Sequence, residues 1–250
     1  MFCIPGVANT SHLKQAAAAG MQFVRIGVDI TDVSPAEEFI PLAKELGLTA
    51  FVNLMKTNVL ETEDVVDPVR QCVSYGADSV YLVDSAGSYL PFEVSELFHV
   101  VSDTVDVPLG FHGHDNLGLA NANALAAASS GAHYIDATLD GIGRGAGNTS
   151  TEGFATVLHR QGAPTAPDYQ RLAHLSESTI RVVPRLHDDR IYQVVGGLTR
   201  THSSLFPLIT RCAEAEGVDV FSLMAAVAEV DRVHPTEKLV AATASALAAS

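Results

Sequence analysis

Short apolar runs alternate with longer amphipathic or alanine-rich stretches from the first residue to about residue 160. Each run is rich in β-branched or aromatic residues and nearly free of polar ones, as expected of strands covered on both faces. The predicted strands cover residues 2–4, 23–28, 49–54, 79–83, 107–112 and 134–138. Strands of this kind that alternate with helices are typical of a parallel α/β sheet.

Capping residues and glycines mark the helices between these strands. Residues that favour a helix start are Ser11, Ser34 with Pro35, Thr62 and Pro91, and the predicted helices end at residues 19, 46, 75 and 102. Glycines that suit the left-handed position after a helix are Gly20, Gly47, Gly76 and Gly131. The repeated βα units predict the α/β class and a TIM-type (β/α) barrel.

The pattern changes after Arg160. Residues 162–168 include Pro164 and Pro167 and predict a linker, and the periodicity beyond is helical, with helices expected over 201–216, 220–230 and 235–248. We therefore predict a partial barrel over residues 1–161 and a helical C-terminal domain over residues 162–250. A closed TIM-type barrel has eight βα units and typically needs about 250 residues. Only six units are predicted here, so the barrel is two units short of closure.

Composition narrows the class of protein. Of the 250 residues, 47% are hydrophobic and 18% are charged, which predicts a soluble globular chain. The net charge of −14 repels nucleic acids and anionic membranes. No signal peptide or membrane span is expected, so we predict a cytoplasmic protein. The cysteines Cys3, Cys72 and Cys212 lack the spacing of a zinc site or disulfide framework and are predicted to be reduced core thiols.

The strongest chemical pattern is Gly-Phe-His-Gly-His-Asp-Asn over residues 110–116, at the end of the fifth predicted strand. Residues two apart on a strand share a face, so His112 and His114 can present two imidazoles to one divalent metal ion, with oxygen ligands completing the shell. The C-terminal ends of barrel strands are also where barrel enzymes keep their active sites. The alternative is one histidine satisfied in the core and one solvated.

A glycine-rich segment over residues 136–149 follows the last predicted strand. Its backbone can approach a ligand closely, and Arg144 and Asn148 can bind a substrate carboxylate. The alternative is a tight loop leading into a helix at Thr151. The segment lacks the ending of a P-loop and the spacing of a dinucleotide loop.

Three further polar residues lie at or inside predicted strands. Asp84 ends the fourth strand at the expected catalytic rim, where it binds substrate or acts as a turn or N-cap aspartate. Arg25 and Asn53 lie inside strands, where buried polar groups need partners. They either orient a ligand inside the barrel or form a structural hydrogen bond.

These motifs resemble those of the divalent-metal pyruvate aldolases, in the family that includes hydroxymethylglutaryl-CoA lyase and isopropylmalate synthase. The matching stretches are Ile-Pro-Gly at residues 4–6, YLVDSAG at 81–87, GFHGHDNLGL at 110–119 and DATLDGIGRGAGNT at 136–149. The resemblance implies a lyase that cleaves a 4-hydroxy-2-oxo acid, such as 4-hydroxy-2-oxovalerate, to pyruvate and an aldehyde. It implies His112 and His114 as ligands of Mn²⁺, with Mg²⁺ or Co²⁺ as alternatives.

The resemblance also shows departures. The family's first strand carries an arginine that steadies the enolate and an aspartate that is the third metal ligand, and a nearby histidine is the catalytic base. None of these is found in this sequence. The six units match strands three to eight of the family barrel, and Leu198 and His202 stand near the family's C-terminal tyrosines. The catalytic residues are therefore not assigned.

Three explanations remain open. The chain is a fragment of a complete aldolase, or an inactive or scaffold subunit beside an aldehyde dehydrogenase, or a subunit that borrows residues from another chain or performs a related acyl transfer. A six-stranded partial barrel exposes two sheet edges, which favours a homo-oligomer or a hetero-complex over a free monomer.

Overall fold

The computed structural model describes residues 1–164, 166–180 and 189–249. The chain forms two compact units. The first consists of Met1–Asp84, Tyr89–Gly113 and Ala122–Asp136, and the second of Ser85–Ser88, His114–Asn121 and Ala137–Ser250. The domain boundary predicted at residue 161 stays a prediction.

The first unit is built on a parallel sheet whose six strands, within the described residues, lie side by side in chain order. They are β1 (Phe2–Cys3), β2 (Phe23–Asp29), β3 (Thr49–Met55), β4 (Ser79–Asp84), β5 (Leu109–Gly113) and β6 (Tyr134–Ile135). All six predicted strands are present, which confirms the α/β partial barrel. Strand β5 begins two residues later than predicted, after Pro108, which has no N–H to give to a sheet. Strand β6 ends early because the chain turns away, and Thr138 pairs with Ser150 instead.

Helices of the first unit follow the strands. They are α1 (Thr10–Ala18), α2 (Ala36–Glu45), α3 (Val66–Ser74), α4 (Pro91–Ser102) and α5 (Ala120–Ser129), whose first two residues belong to the second unit. The prediction that Ser11 caps α1 is wrong, because Asn9 accepts hydrogen bonds from the backbone N–H groups of Ser11 and His12. Before α3, a 3₁₀ turn occupies Thr62–Val65, so Thr62 starts that turn rather than the helix.

The two faces of the sheet differ. In β2 the residues Val24 and Ile26 are fully buried, on the face that packs against the helices. The opposite face carries Arg25 and a cluster of aromatic rings from β2, β3, β4 and β6, with centroids 5.6–6.2 Å apart. These rings belong to Phe23, Phe51, Tyr81 and Tyr134. Phe23 and Tyr134 remain 45% and 41% exposed, so this face is only partly covered.

The second unit is helical. Its helices are α6 (Thr151–Arg160), α7 (Tyr169–Leu175), α8 (Arg190–Thr199), α9 (Phe206–Glu216), α10 (Val220–Val230) and α11 (Glu237–Ala248), and a π-helical turn over Ser176–Ile180 follows α7. Its core contains, among others, Phe206, Ile209, Leu223, Met224 and Val240. The helix predicted over 201–216 begins later, at Phe206, after a 3₁₀ turn over Ser203–Leu205, and α10 matches its prediction.

Two smaller expectations are also resolved. Cys3, Cys72 and Cys212 are free and buried, as predicted. Burial raises the pKa of the Cys72 thiol to about 12, so it is an inert core group. None of the described helices has the length and apolar character needed to cross a bilayer.

Candidate active site

In the first unit, the candidate site lies on the face of the sheet opposite the helices. The register sets Arg25 of β2 beside Phe51 of β3, and His112 of β5 beside Val83 of β4. Asp136 follows β6, and its backbone N–H donates to the carbonyl of Phe111. The fold thus brings a cation from β2, an imidazole from β5 and a carboxylate from the residue after β6 to one face.

These three side chains form one hydrogen-bonded network. Arg25 binds Asp136 through two parallel contacts, Nη1 to Oδ1 at 2.9 Å and Nη2 to Oδ2 at 2.5 Å. The Nδ1 atom of His112 lies 2.8 Å from Oδ2 of the same carboxylate. The side chains are only 19–26% exposed. Two-pronged pairing of this kind fixes the plane of the carboxylate as well as its position.

Arg25 is engaged through each of its three guanidinium nitrogens and on one face. Its Nε donates to Oδ1 of Asn53 at 3.0 Å, and its guanidinium carbon lies 4.2 Å from the centre of the Tyr81 ring. The structural hydrogen bond that the sequence left open for Arg25 and Asn53 is therefore present. Burial, followed by the nearby Asp136 charge, raises the pKa of Tyr81 to about 12, so Tyr81 stays neutral at physiological pH.

Opposing effects act on Asp136. Burial raises the pKa of its carboxyl, but the hydrogen bonds from His112 and Arg25 and the charge of Arg25 outweigh this, and the net pKa is lowered. Asp136 is therefore a carboxylate at neutral pH, and it accepts hydrogen bonds without donating any.

In the second unit, His114 lies against the glycine-rich segment. Its Nδ1 is 3.1 Å from the carbonyl oxygen of Gly147, and its backbone forms an isolated antiparallel bridge with Asn148. A carbonyl can only accept, so Nδ1 of His114 carries the proton. Here a backbone group holds the Nδ1 side of the imidazole.

The glycine-rich segment depends on left-handed backbone conformations. Asp140, Gly141, Gly145 and Gly147 all have positive φ, and a Cβ atom on Gly147 would lie only 2.4 Å from the carbonyl oxygen of Gly141. Both carboxylate oxygens of Glu152 lie 3.0 Å from the backbone nitrogen of Asp140. The segment is thus a fixed loop that glycine alone permits at residue 147.

Arg144 and Asn148, the two predicted carboxylate ligands, both lie in this loop. Arg144 is exposed and makes no ion pair with the part of the chain that the structure describes, while desolvation lowers the pKa of its guanidinium. The Nδ2 atom of Asn148 donates to the carbonyl of Ile142, and its buried Oδ1 has no hydrogen-bond partner within the described residues. A cation and a buried oxygen therefore remain available in the loop.

Two of the stretches that resemble the aldolases, residues 81–87 and 110–119, come close together at Gly87. This residue has φ of 55°, and a Cβ atom there would lie 2.5 Å from the backbone nitrogen of Asn116. Asn116 is itself buried and donates to the carbonyl of Gln193 at 2.9 Å. Glycine is required at residue 87 because the backbone of residues 85–88 passes so close to residues 114–121.

Asp84 has the geometry of a turn aspartate. It is fully buried, and its Oδ2 accepts the backbone N–H of Tyr89 at 3.1 Å. This contact is that of the structural alternative named for Asp84 from the sequence.

The imidazole side chains of His112 and His114 are of a type that binds divalent metal ions. Within the described residues there is no cluster of three or more histidine, cysteine, aspartate or glutamate side chains that could hold one. Each of the two predicted ligands, however, has its Nδ1 held by an acceptor, Asp136 for His112 and Gly147 for His114. Metal-binding histidines almost always have their second ring nitrogen held in this way, and they then bind through Nε2.

Sequence reasoning missed the role of Asp136, which it placed in the glycine-rich motif and did not connect to His112. Arg25 and Asp136 are 111 positions apart in the chain. A signal existed: Arg25 and Asp136 both lie inside predicted strands, and alternation along strands puts Arg25, His112 and Asp136 on the face opposite the buried apolar residues. That signal becomes usable only with the register of the sheet.

Comparison with known proteins now decides the family. The family described as HMGL-like matches residues 3–179. The chain belongs to the HMGL-like family. It is 34% identical over 243 residues to the 4-hydroxy-2-oxovalerate aldolase of Carboxydothermus hydrogenoformans, an alignment that covers 96% of this chain and 72% of that one. The aldolase of the same name from Chloroflexus aurantiacus is 42% identical over 177 residues, covering 71% of this chain and 52% of the relative.

Solved structures share the fold of this chain. The N-terminal domain of a putative aldolase from Bacteroides vulgatus superposes with a TM-score of 0.64 and 27% identity, over 72% of this chain and 61% of that one. The carboxyl transferase domain of Rhizobium etli pyruvate carboxylase gives a TM-score of 0.72 at 18% identity, over 95% of this chain and 43% of that one, a likeness of fold. The chain spans 64% of another curated relative, from Geobacillus thermodenitrificans.

Proposed function

We propose that this HMGL-like chain carries the metal- and substrate-binding part of an aldolase that cleaves a 4-hydroxy-2-oxo acid, such as 4-hydroxy-2-oxovalerate, to pyruvate and an aldehyde. The observation that carries the proposal is the His-x-His pair in which acceptors hold both Nδ1 atoms. The relatives named as aldolases of this substrate support the reaction class.

His112 and His114 would hold a divalent ion, Mn²⁺ in the first instance, with Mg²⁺ and Co²⁺ as alternatives. When bound, such an ion supplies Lewis-acid polarisation of the 2-keto group and stabilises the charge of the pyruvate enolate. Because carbonyl and carboxylate oxygens are acceptors, His114 and His112 are restricted to ligation through Nε2.

The loop residues would bind and orient the substrate. Arg144 would contact the 2-oxo acid's carboxylate, because its charge has no ion-pair partner in the described chain. Asn148 would add a polar contact beside it. Asp84 is the weakest of the substrate-binding candidates, because its carboxylate is fully buried and engaged by the backbone of Tyr89.

The base that removes the 4-hydroxyl proton and the third metal ligand are not assigned to residues of this chain. The arginine and aspartate of the family's first strand and its nearby histidine base have no counterpart here, so we expect little or no turnover from this chain alone. Pyruvate release at an ordinary enzymatic rate, on the order of 1 to 1,000 per second, would show that those residues are dispensable.

A metal-binding measurement tests the proposal directly. The purified chain is expected to bind Mn²⁺ or Co²⁺, and His112→Ala is expected to abolish or strongly weaken that binding, because one of the two imidazole ligands is lost. The matched control is His133→Ala, which removes an exposed histidine of the same unit next to β6. If the wild-type chain binds neither ion and His112→Ala changes nothing, the metal proposal is wrong.

A second candidate function is that of an assembly subunit, in a homo-oligomer or beside an aldehyde dehydrogenase. In the described chain, β1 pairs only with β2 and β6 only with β5, which leaves two sheet edges open. Phe2 on β1 is 52% exposed and Tyr134 on β6 is 41% exposed. Unpaired edges with apolar side chains favour association. This candidate predicts a heavy complex on size-exclusion chromatography without metal-dependent turnover.

We also propose a cytoplasmic location. The support is chemical: Cys3, Cys72 and Cys212 are all free and buried, which suits a reducing compartment.

A further inference from the structure

The carboxylate of Asp136 occupies a central place among the polar groups of the first unit. It contacts the imidazole of one predicted metal ligand, His112, at 2.8 Å, and both terminal nitrogens of Arg25. Nothing in its sequence motif assigns it a role. Its position, on the side of His112 away from Nε2, is that of a group that controls the ring rather than one that meets a ligand.

We propose that Asp136 is a positioning residue that fixes the Nδ1–H tautomer and the ring orientation of His112, so that His112 presents Nε2 as a metal ligand. The inference deepens the proposed function and rests on it where the metal is concerned. A carboxylate held by arginine can only accept a hydrogen bond, so the proton must lie on Nδ1 of His112. The alternative tautomer would set a lone pair of Nδ1 against a carboxylate oxygen.

Arg25 makes the positioning effective because it fixes the carboxylate in turn. Its two contacts to Asp136 set the plane of the carboxylate, and the Asn53 and Tyr81 side chains hold the guanidinium on its other edge and on one face. Arg25, Asn53 and Tyr81 stand on strands of one sheet, and Asp136 directly follows β6. The ring of His112 is therefore oriented by a rigid chain of contacts that runs from β2 to β5, as outer groups of metal sites require.

The first readout needs no metal. Nitrogen-15 labelling of the ten histidines allows long-range proton–nitrogen NMR to report each tautomer at neutral pH, and the spectrum of His112→Ala identifies the His112 signals. We expect the Nδ1–H form in the wild type and loss of that preference in Asp136→Asn. Finding the Nε2–H form of His112 in the wild type would overturn the inference.

The second readout is the affinity for Mn²⁺, measured by calorimetric titration of the full chain. Asp136→Asn is expected to weaken binding about 10- to 100-fold, the usual effect of removing an outer-shell partner of a ligating histidine. The matched control is Asp78→Asn, which removes a carboxylate paired with Lys44 before the start of β4 and should leave the affinity within about twofold. Equal affinities of Asp136→Asn and wild type would overturn the inference.

A double variant guards against loss of the fold. Asp136→Asn leaves the guanidinium of Arg25 without its charge partner, whereas Arg25→Gln with Asp136→Asn removes both charges together. The double variant should therefore recover stability and still bind Mn²⁺ more weakly than wild type. If the folded double variant binds Mn²⁺ as tightly as the wild type does, the inference that Asp136 positions His112 is overturned.

Failure of the proposed function looks different from failure of the inference. If the wild-type chain binds no Mn²⁺, the function proposed for the histidine pair fails. The tautomer of His112 then decides the inference by itself: the Nδ1–H form, lost in Asp136→Asn, supports positioning by Asp136, and any other result overturns it.

Discussion

The two predicted metal ligands are held by different means in the two units of the chain. In the first unit, side chains from β2 and from the end of β6 hold His112, through Asp136 and Arg25. In the second, the carbonyl oxygen of Gly147 holds His114, and the loop behind it keeps its shape by positive φ angles. The first arrangement therefore depends on charge and the second on the absence of a Cβ atom.

The largest effect is expected from breaking the charged arrangement. Asp136→Asn should lower the free energy of unfolding by about 3 kcal/mol, because it leaves a largely buried guanidinium unpaired. Asp78→Asn removes a more exposed ion pair and should cost about 1 kcal/mol or less. Chemical denaturation of both variants measures the difference. Equal losses of unfolding free energy would mean that the Arg25–Asp136 ion pair stabilises the fold no more than a surface ion pair does.

Breaking the loop arrangement should have the next largest effect. Gly147→Ala should cost about 2 to 3 kcal/mol, since it combines left-handed strain with a Cβ atom 2.4 Å from the Gly141 carbonyl oxygen. The matched control is Gly162→Ala, which has φ of 75° but nothing within 4 Å of the new Cβ, and it should cost only about 1 kcal/mol. If denaturation gives the same loss for both, the close approach at residue 147 is relieved by movement of the loop.

A smaller, pH-dependent effect on stability is expected from a second ion pair of the first unit. Asp29, at the end of β2, pairs with Lys56 at 2.8 Å. Burial raises the pKa of its carboxyl, but hydrogen bonds from Lys56 and Thr31 outweigh burial, and the net pKa is lowered. A lowered folded-state pKa means that the carboxylate stabilises the fold above the pKa of the unfolded chain and ceases to do so as the pH falls through the folded-state value.

Asp29→Asn should therefore cost about 1 kcal/mol at pH 7, and the cost should shrink as the pH falls below about 4. Denaturation curves of wild type and variant across that range measure it. Lys56→Met provides the check, because its cost should shrink over the same range as its partner becomes protonated. A cost that stays constant with pH would show that packing, not charge, accounts for the effect.

Much of the fold followed from local pattern. The strands were found from short apolar runs because a doubly covered parallel strand carries almost no polar residues, and α4 and α10 matched their predicted ends. The errors were local too. Ser11 was chosen as a cap, although Asn9, two residues earlier, is the cap and accepts the N–H groups of Ser11 and His12. Two capping residues so close together cannot be ranked without the backbone angles.

Less of the site could be predicted. Because alternate residues of a strand share a face, the sequence predicted that His112 and His114 lie together at a strand end. The glycines marked the loop that carries Arg144 and Asn148. The partners of the histidines could not be named, because Asp136 and Gly147 lie 24 and 33 positions further along the chain. Contacts over such separations depend on strand register and loop shape, which residue types alone do not encode.

The sequence by itself determined the order of strands and helices, the two histidines and the glycines that the loop requires, because each is a property of neighbouring residues. The tertiary structure alone decided that Arg25 is engaged by Asp136, Asn53 and Tyr81, and that His112 and His114 are held through Nδ1. The physical reason is distance along the chain: side chains from separate strands meet only once the sheet has aligned them.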